Sequence, residues 1–237
     1  MSEMIVNGKW KIRVLYEDNH LLCVEKPANL PVQADASGDM DLLNILKEFI
    51  RRKYQKPGNV YLGLVHRLDR PVGGCMVFAK TSKAASRLCA QFSAHTTEKK
   101  YYAVVQGELR KKTEFTDYLK QNEKTGMVMK ANQTDEGAKK AILISDPIAH
   151  ENGLTLTEVS LLTGRKHQIR VQHAIHGLPL WGDARYGGGK SGMQIALWAH
   201  ALTFLHPTTG ESITIESVPP MDGAWKMFPA HILKEQL

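Results

Sequence analysis

The stretch of sequence on which the fold interpretation depends reads Gly63-Leu64-Val65-His66-Arg67-Leu68-Asp69-Arg70-Pro71-Val72-Gly73-Gly74. It places one carboxylate and two guanidinium groups in a turn, and apolar runs predict a strand before it, at 62–65, and another after it, at 75–79. Functional side chains often occupy such loops because a rigid scaffold aims them. A local ion pair on an exposed turn explains the same residues, and from this segment alone it is the better explanation.

Strand patterns dominate the rest of the chain. Apolar runs rich in β-branched residues predict further strands at 12–16, 21–24, 101–105, 141–148, 154–162, 197–205 and 213–217. Helical spacing predicts helices at 42–53 and 166–176, a helix capped by Ser82, and a short helix near 230–237. Many strands without strict βαβ alternation favour an α+β fold with a mainly antiparallel sheet, and the length predicts a single domain over residues 1–237.

The composition is ordinary for a soluble globular protein except in its charge. Lys and Arg number 31 against 24 Asp and Glu, so the formal net charge is +7 and the sequence pI is about 9.2, which favours a polyanionic partner. Cys23, Cys75 and Cys89 form no CxxC pair, which fits a reduced, cytoplasmic protein. The sequence has no signal-peptide core and no apolar run near the roughly 20 residues that a membrane span needs, so we expect no membrane insertion.

A second charged segment reads Thr163-Gly164-Arg165-Lys166-His167-Gln168-Ile169-Arg170 and lies where a strand pattern meets a helix pattern. Backbone N–H groups at a helix start attract anions, and Arg165, Lys166 and His167 add positive or near-positive charge there. These cations oppose the helix dipole, which argues mildly for a functional role. Solvated residues of a first helical turn are the alternative.

A third segment, Glu98-Lys99-Lys100-Tyr101-Tyr102-Ala103, combines cations with two aromatic rings at the start of a strand. Strand alternation sends Tyr101 and Tyr102 to opposite faces, so at most one of them shares a site with Asp69. Taken alone, ordinary packing of aromatic side chains explains the pair better than function does.

Other motifs are rejected or disfavoured. The run 187–191 resembles the end of a phosphate-binding P-loop, but Ala184 occupies the required earlier glycine position, which argues against nucleotide hydrolysis. His167, His173 and His176 suggest a metal site, but no Cys or carboxylate stands beside them at a zinc-like spacing. We therefore expect core or surface histidines and no metal.

Taken together, four segments closely resemble the RluA-type family of RNA pseudouridine synthases: 66–69, 77–80, 99–103 and 164–170. Further matches at 15–27, 182–187 and 200–207 extend the resemblance over about residues 12–220. The resemblance implies a pseudouridine synthase fold, built on a long, bent, mainly antiparallel sheet with a central active-site cleft. It also implies isomerisation of uridine to pseudouridine within ribosomal or transfer RNA, without metal or organic cofactor.

The resemblance assigns roles residue by residue. Asp69 matches the catalytic aspartate, Tyr101 the active-site tyrosine and Arg170 the basic partner of the aspartate. Arg67 matches the arginine that fills the space left by a flipped-out nucleotide. The other residues expected to contact RNA are His66, Arg70, Arg165, Lys166 and His167. Whether Asp69 acts as a nucleophile or assists formation of a glycal stays open.

The sequence departs from the family pattern at Val72-Gly73-Gly74, where Thr-Ser-Gly is usual, so the loop lacks a hydroxyl. Only about a dozen residues precede the first matching strand, so we expect a monomeric catalytic domain without the N-terminal RNA-binding domain of some relatives. One alternative is an RNA-binding protein or RNA chaperone that keeps the fold while catalysis is dispensable. A weaker alternative is a metal-dependent hydrolase that uses the histidines at 167–176.

Overall fold

The computed structural model describes residues 3–234 of the chain. They form two compact units: residues up to Glu98 with Ala199–Ser217, and Lys99–Trp198 with the residues from Val218 onward. Each unit combines strands with helices, so the predicted α+β class is confirmed. A single domain over residues 1–237 stays a prediction.

The elements of the described residues are as follows. The strands are β1 Met4–Asn7, β2 Trp10–Glu17, β3 Leu21–Lys26, β4 Gly63–Leu64, β5 Gly73–Ala79, β6 Glu98–Gln106, β7 Thr113–Gln121, β8 Val128–Ala131, β9 Lys139–Glu151, β10 Leu154–Leu161, β11 Leu197–Leu205 and β12 Ser212–Glu216. The helices are α1 Leu42–Lys53, α2 Ser82–Ser93, α3 Gln168–Ile175, α4 Ala230–Lys234 and a short 3-10 helix at Trp225–Met227. No helix within residues 3–234 has the length and apolar character needed to cross a membrane.

The first unit is built around β5, which is buried along its whole length. Antiparallel pairing joins β1 to β2, β2 to β3, β3 and β4 to β5, and β11 to β12. The core of this unit includes the apolar side chains of Cys23, Val77, Leu88 and Phe204. The N-cap of α2 is Thr81, one residue before the predicted Ser82, and its hydroxyl accepts a hydrogen bond from Ala84 N–H at 3.1 Å.

The second unit is an antiparallel sheet in the order β6-β10-β9-β7-β8. Tyr102 and Val104 of β6 pack with Leu156 and with Trp225 and Phe228 of the C-terminal segment. Tyr102 is therefore core, and strand alternation leaves Tyr101 on the other face, as the sequence predicts.

The start of helix α3 was predicted wrongly, whereas the described part of α4 agrees with the prediction. Helix α3 begins at Gln168 rather than at Lys166, because His167 has a left-handed backbone with φ +53°. It ends as predicted, since Gly177 follows the C-cap with φ +75°. Helix α4 begins as expected at Ala230, but the predicted extension over 235–237 lies outside the described residues.

Candidate active site

The loop at 65–72 joins β4 to β5 in the first unit and carries Asp69. Leu68 is buried, whereas Asp69 is half-buried. Val72 N–H donates to the Asp69 carbonyl at 3.0 Å, which closes a turn directly after the aspartate. Asp69 therefore lies on a turn that is closed by its own backbone hydrogen bond and packed into the protein through Leu68.

The fully buried side chain of Lys26 binds the same loop. Its ammonium donates to the carbonyl oxygens of Val72 at 2.7 Å, Pro27 at 2.9 Å and Arg70 at 3.0 Å. Burial lowers the pKa of Lys26 to about 7, whereas the negative charge of Asp69 acts to raise it. Lys26 is thus a positioning residue for the loop, and its charge lies within electrostatic reach of Asp69.

Replacing Lys26 with methionine is expected to lower the free energy of unfolding by about 2–4 kcal/mol, because buried carbonyls lose their donor. The difference in unfolding free energy between the two proteins is expected to grow as the pH rises above about 7. Above that pH the folded protein releases the Lys26 proton whereas the unfolded chain still binds it, so the wild type gains stability with pH and the methionine variant does not. Denaturant titrations of both proteins at about pH 6 and about pH 9 measure this change. The exposed Lys11→Met variant is the control, and a pH-independent difference between wild type and Lys26→Met would contradict the prediction.

The departure at Val72-Gly73-Gly74 leaves backbone contacts of the loop in place. Val72 makes its contacts to Asp69 and Lys26 through main-chain groups, which need no side-chain hydroxyl. Gly74 has φ +118°, and a Cβ there would lie 2.2 Å from the Ala199 carbonyl oxygen. The missing hydroxyl is therefore a weak argument for the non-catalytic alternative.

His66 and Arg67 precede Asp69 on the loop and have different surroundings. The His66 ring stacks on Phe92 with 4.6 Å between centroids, and its Nε2 accepts a hydrogen bond from Val77 N–H at 3.0 Å. Arg67 is exposed and forms no ion pair with any residue of the described part of the chain. The geometry gives His66 a structural contact and leaves the Arg67 guanidinium available to a ligand.

Arg70 follows Asp69 and is tied to the loop at 35–39. Its guanidinium pairs with Asp39, lies 3.7 Å from Asp35 and donates to the Ser37 hydroxyl at 3.2 Å. These pairs are exposed and screened by solvent, so they are weak and a phosphate can replace the carboxylates. Contact between Arg70 and RNA stays a prediction.

Tyr101 and Arg170 lie in the second unit. Tyr101 is half-buried on β6, and Arg170 is buried in the first turn of α3. Arg170 donates from Nε and Nη2 to the two carboxylate oxygens of Asp183, each at 2.8 Å. Its guanidinium also lies 5.2 Å from the centre of the Tyr186 ring, a cation–π distance. Asp183 and Tyr186 thus fix the Arg170 side chain.

The loop at 163–167 is organised by the first residue of α3, Gln168. The Gln168 side-chain oxygen accepts from the Thr163 hydroxyl at 2.8 Å and from Arg165 N–H at 2.9 Å. Its side-chain nitrogen donates to the Ile142 carbonyl at 3.0 Å. One buried amide therefore holds the whole loop against β9.

The three residues of this loop that were predicted to bind RNA have different surroundings. Arg165 donates from Nε to the Lys140 carbonyl at 2.9 Å, and Lys166 is exposed. His167 Nδ1 lies 2.7 Å from the Tyr186 hydroxyl, which also accepts from Val128 N–H at 3.1 Å. Burial raises the pKa of Tyr186, so its hydroxyl stays protonated at neutral pH.

Three residues that position the site were not predicted from the sequence: Lys26, Asp183 and Tyr186. Each stands in a segment that resembles the family, at 15–27 or 182–187, so the resemblance marked the segments without giving the residues a role. Their function depends on contacts with residues distant in sequence, which no local pattern reveals.

The histidines considered for a metal have separate partners. His173 is buried between the Ser145 hydroxyl at 3.0 Å and the Ile169 carbonyl at 2.8 Å, and burial lowers its pKa to about 4. His176 Nε2 lies 3.0 Å from the Asp117 carboxylate. Within residues 3–234, no three His, Cys, Asp or Glu side chains cluster in a way that could hold a metal ion.

The fold is that of pseudouridylate synthase domains. It matches the human protein RNA pseudouridylate synthase domain containing 4 with a TM-score of 0.73 at 21% identity, over 87% of this chain and 88% of that chain. The human protein RNA pseudouridylate synthase domain containing 1 gives a TM-score of 0.72 at 21% identity, over 90% of this chain and 85% of that one. At this level of identity, the likeness establishes the fold alone.

Sequence comparison identifies the family. The model of the RNA pseudouridylate synthase family matches residues 20–174, and the chain belongs to this family. It is 32% identical to ribosomal large subunit pseudouridine synthase D of Zymomonas mobilis, over 89% of this chain and 70% of that protein. It is 28% identical to tRNA pseudouridine synthase C of Vibrio cholerae, over 91% of this chain and 93% of that protein. The protein is therefore an isomerase that converts uridine to pseudouridine in RNA.

Proposed function

We propose that the protein isomerises specific uridines in ribosomal or transfer RNA, with Asp69 as the catalytic carboxylate. The observation that supports this most directly is the half-buried Asp69 on a loop bound by the Lys26 ammonium. Relatives named for ribosomal RNA and for transfer RNA match with similar identity, so both substrates are proposed.

The reaction defines what each side chain does. The bond between C1′ and N1 breaks, the detached uracil rotates, and C5 bonds to C1′. C5 then loses its proton and N1 gains one, so the product is an isomer of the substrate. In our proposal Asp69 either attacks C1′ or takes the proton that leads to a glycal, and it re-forms as a free carboxylate. Tyr101 stacks on the base and assists removal of the C5 proton, while Arg170 pairs with Asp69.

The remaining predicted residues hold the RNA. Arg67 is proposed to fill the gap left by the flipped-out nucleotide, because unstacking a base costs a few kcal/mol that protein contacts must offset. His66, Arg70, Arg165, Lys166 and His167 are proposed to contact the surrounding nucleotides. Support is strongest for Arg165 and Lys166, since neither forms an ion pair within the described residues.

The test of the substrate is release of tritium from C5-labelled uridine by the purified protein. Unmodified ribosomal and transfer RNA are supplied separately, and the modified positions are then mapped. Release from one or both classes is expected, and release from neither would overturn the proposal. We also expect a cytoplasmic monomer that keeps full activity in a chelator, whereas loss of activity there would favour a metal-dependent enzyme.

A further inference from the structure

A large open cavity lies in the second unit, apart from Tyr101 and Arg170. Its volume is about 1100 Å³, and it is lined by the end of β7, the turn between β7 and β8, the start of β9 and the loop at 163–167. We call it the β7–β9 groove. Because it is open and polar, it suits an extended, hydrophilic ligand better than a small apolar molecule.

The β7–β9 groove is rich in cations. It is lined by the side chains of Lys120, Lys124, Lys139, Arg165 and Lys166, against only two carboxylates, those of Glu123 and Glu136. None of these five cations forms an ion pair within residues 3–234. With five cations against two carboxylates the lining keeps an excess of positive charge, which favours a polyanion that follows the groove.

The β7–β9 groove leads toward the strand that carries Tyr101. Gly164 lines it, and a Cβ built at Gly164 would lie 3.7 Å from Lys99 Nζ. Lys99 and Tyr101 stand two residues apart on β6, so strand alternation puts them on the same face. A chain-like ligand with one unit near Tyr101 can thus pass Lys99 and Gly164 into the groove.

We propose that the β7–β9 groove binds the phosphodiester backbone of the RNA segment next to the target uridine. This inference rests on the proposed function for the position of the uridine, but the binding itself is independent of turnover. The cations come from strand, turn and loop segments that line one groove, and each phosphate that they neutralise adds to the electrostatic affinity. Such contacts add affinity without reading sequence.

The first test measures the salt dependence of binding to a short uridine-containing RNA oligonucleotide. The triple variant Lys120→Gln, Lys124→Gln, Lys139→Gln is compared with a control triple, Lys9→Gln, Lys11→Gln, Lys83→Gln, which removes equal charge from exposed sites of the first unit. We expect the groove triple to reduce the slope of log affinity against log salt by about 1 per lysine and to weaken binding on the order of tenfold at low salt. The control triple is expected to change the slope much less. Equal effects from both triples, or no effect from either, would overturn the proposal.

A second measurement uses only the wild-type protein, so its result does not depend on whether a variant folds. Lysine acetylation is mapped with and without the same RNA. We expect RNA to protect Lys120, Lys124 and Lys139 and to leave Lys9 and Lys11 reactive. Unprotected groove lysines would reject the inference even if pseudouridine forms, whereas protection without any tritium release would reject the proposed function alone.

Discussion

The Asp69→Asn variant is expected to lose at least about 10³-fold in pseudouridine formation while it still binds RNA. Asparagine has nearly the shape of aspartate but lacks the negative oxygen that either attacks C1′ or accepts a proton. RNA affinity is expected to stay equal or to rise slightly, because the variant removes one negative charge that repels phosphates. Tritium release measures the first effect and oligonucleotide binding the second.

The control for this variant is Asp222→Asn, which makes the same chemical change at an exposed aspartate of the second unit. It should keep wild-type tritium release. If Asp69→Asn released tritium at the wild-type rate, Asp69 would not be the catalytic carboxylate. If Asp69→Asn lost both release and RNA binding, its unfolding curve would have to match that of the wild type before any catalytic role were assigned.

The Asp183→Asn variant is expected to lower kcat about 100-fold and the free energy of unfolding by about 3 kcal/mol. Asp183 holds Arg170 through two hydrogen bonds of 2.8 Å inside the protein. Asparagine offers only one acceptor, so the guanidinium loses one bond and keeps an uncompensated buried charge. Because Arg170 is proposed as the basic partner of Asp69, the chemical step should suffer more than RNA binding.

A double-mutant cycle separates the two parts of this expectation. Asp183→Asn is made alone and together with Arg170→Met, and unfolding free energies are measured for all four proteins. Removing both charges should destabilise the protein less than the sum of the single changes. Additive effects would show that the pair is not coupled. A rise in KM with unchanged kcat in the single variant would place Asp183 in RNA binding rather than in positioning Arg170.

Secondary structure followed from local patterns wherever the local signal was strong. The strands around the turn at Asp18 were predictable, and Asp18 Oδ1 indeed accepts from His20 N–H and Leu21 N–H at 2.7 Å. The start of α3 was predicted two residues early, at Lys166 rather than at Gln168. The left-handed backbone of His167, held by the loop that Gln168 organises, decides the boundary instead.

The candidate site was predictable only in part. Asp69 could be singled out because a carboxylate between two apolar strands is visible in sequence, and the family resemblance supplied its role. Lys26 could not be found in this way, since its partners Arg70 and Val72 lie 44 and 46 residues further along the chain. Asp183 was missed for a similar reason, because its partner Arg170 lies 13 residues earlier and no regular pattern links the two positions.

The buried amide of Gln168 has a thermodynamic consequence for the encounter with RNA. Three of its hydrogen bonds, those with Thr163, Arg165 and Ile142, fix the loop at 163–167 when the protein folds. The conformational entropy of that loop is therefore lost once, during folding, rather than each time RNA arrives. A loop ordered in advance holds the backbone of Arg165 and Lys166 in place, so a larger part of each proposed phosphate contact is retained as affinity.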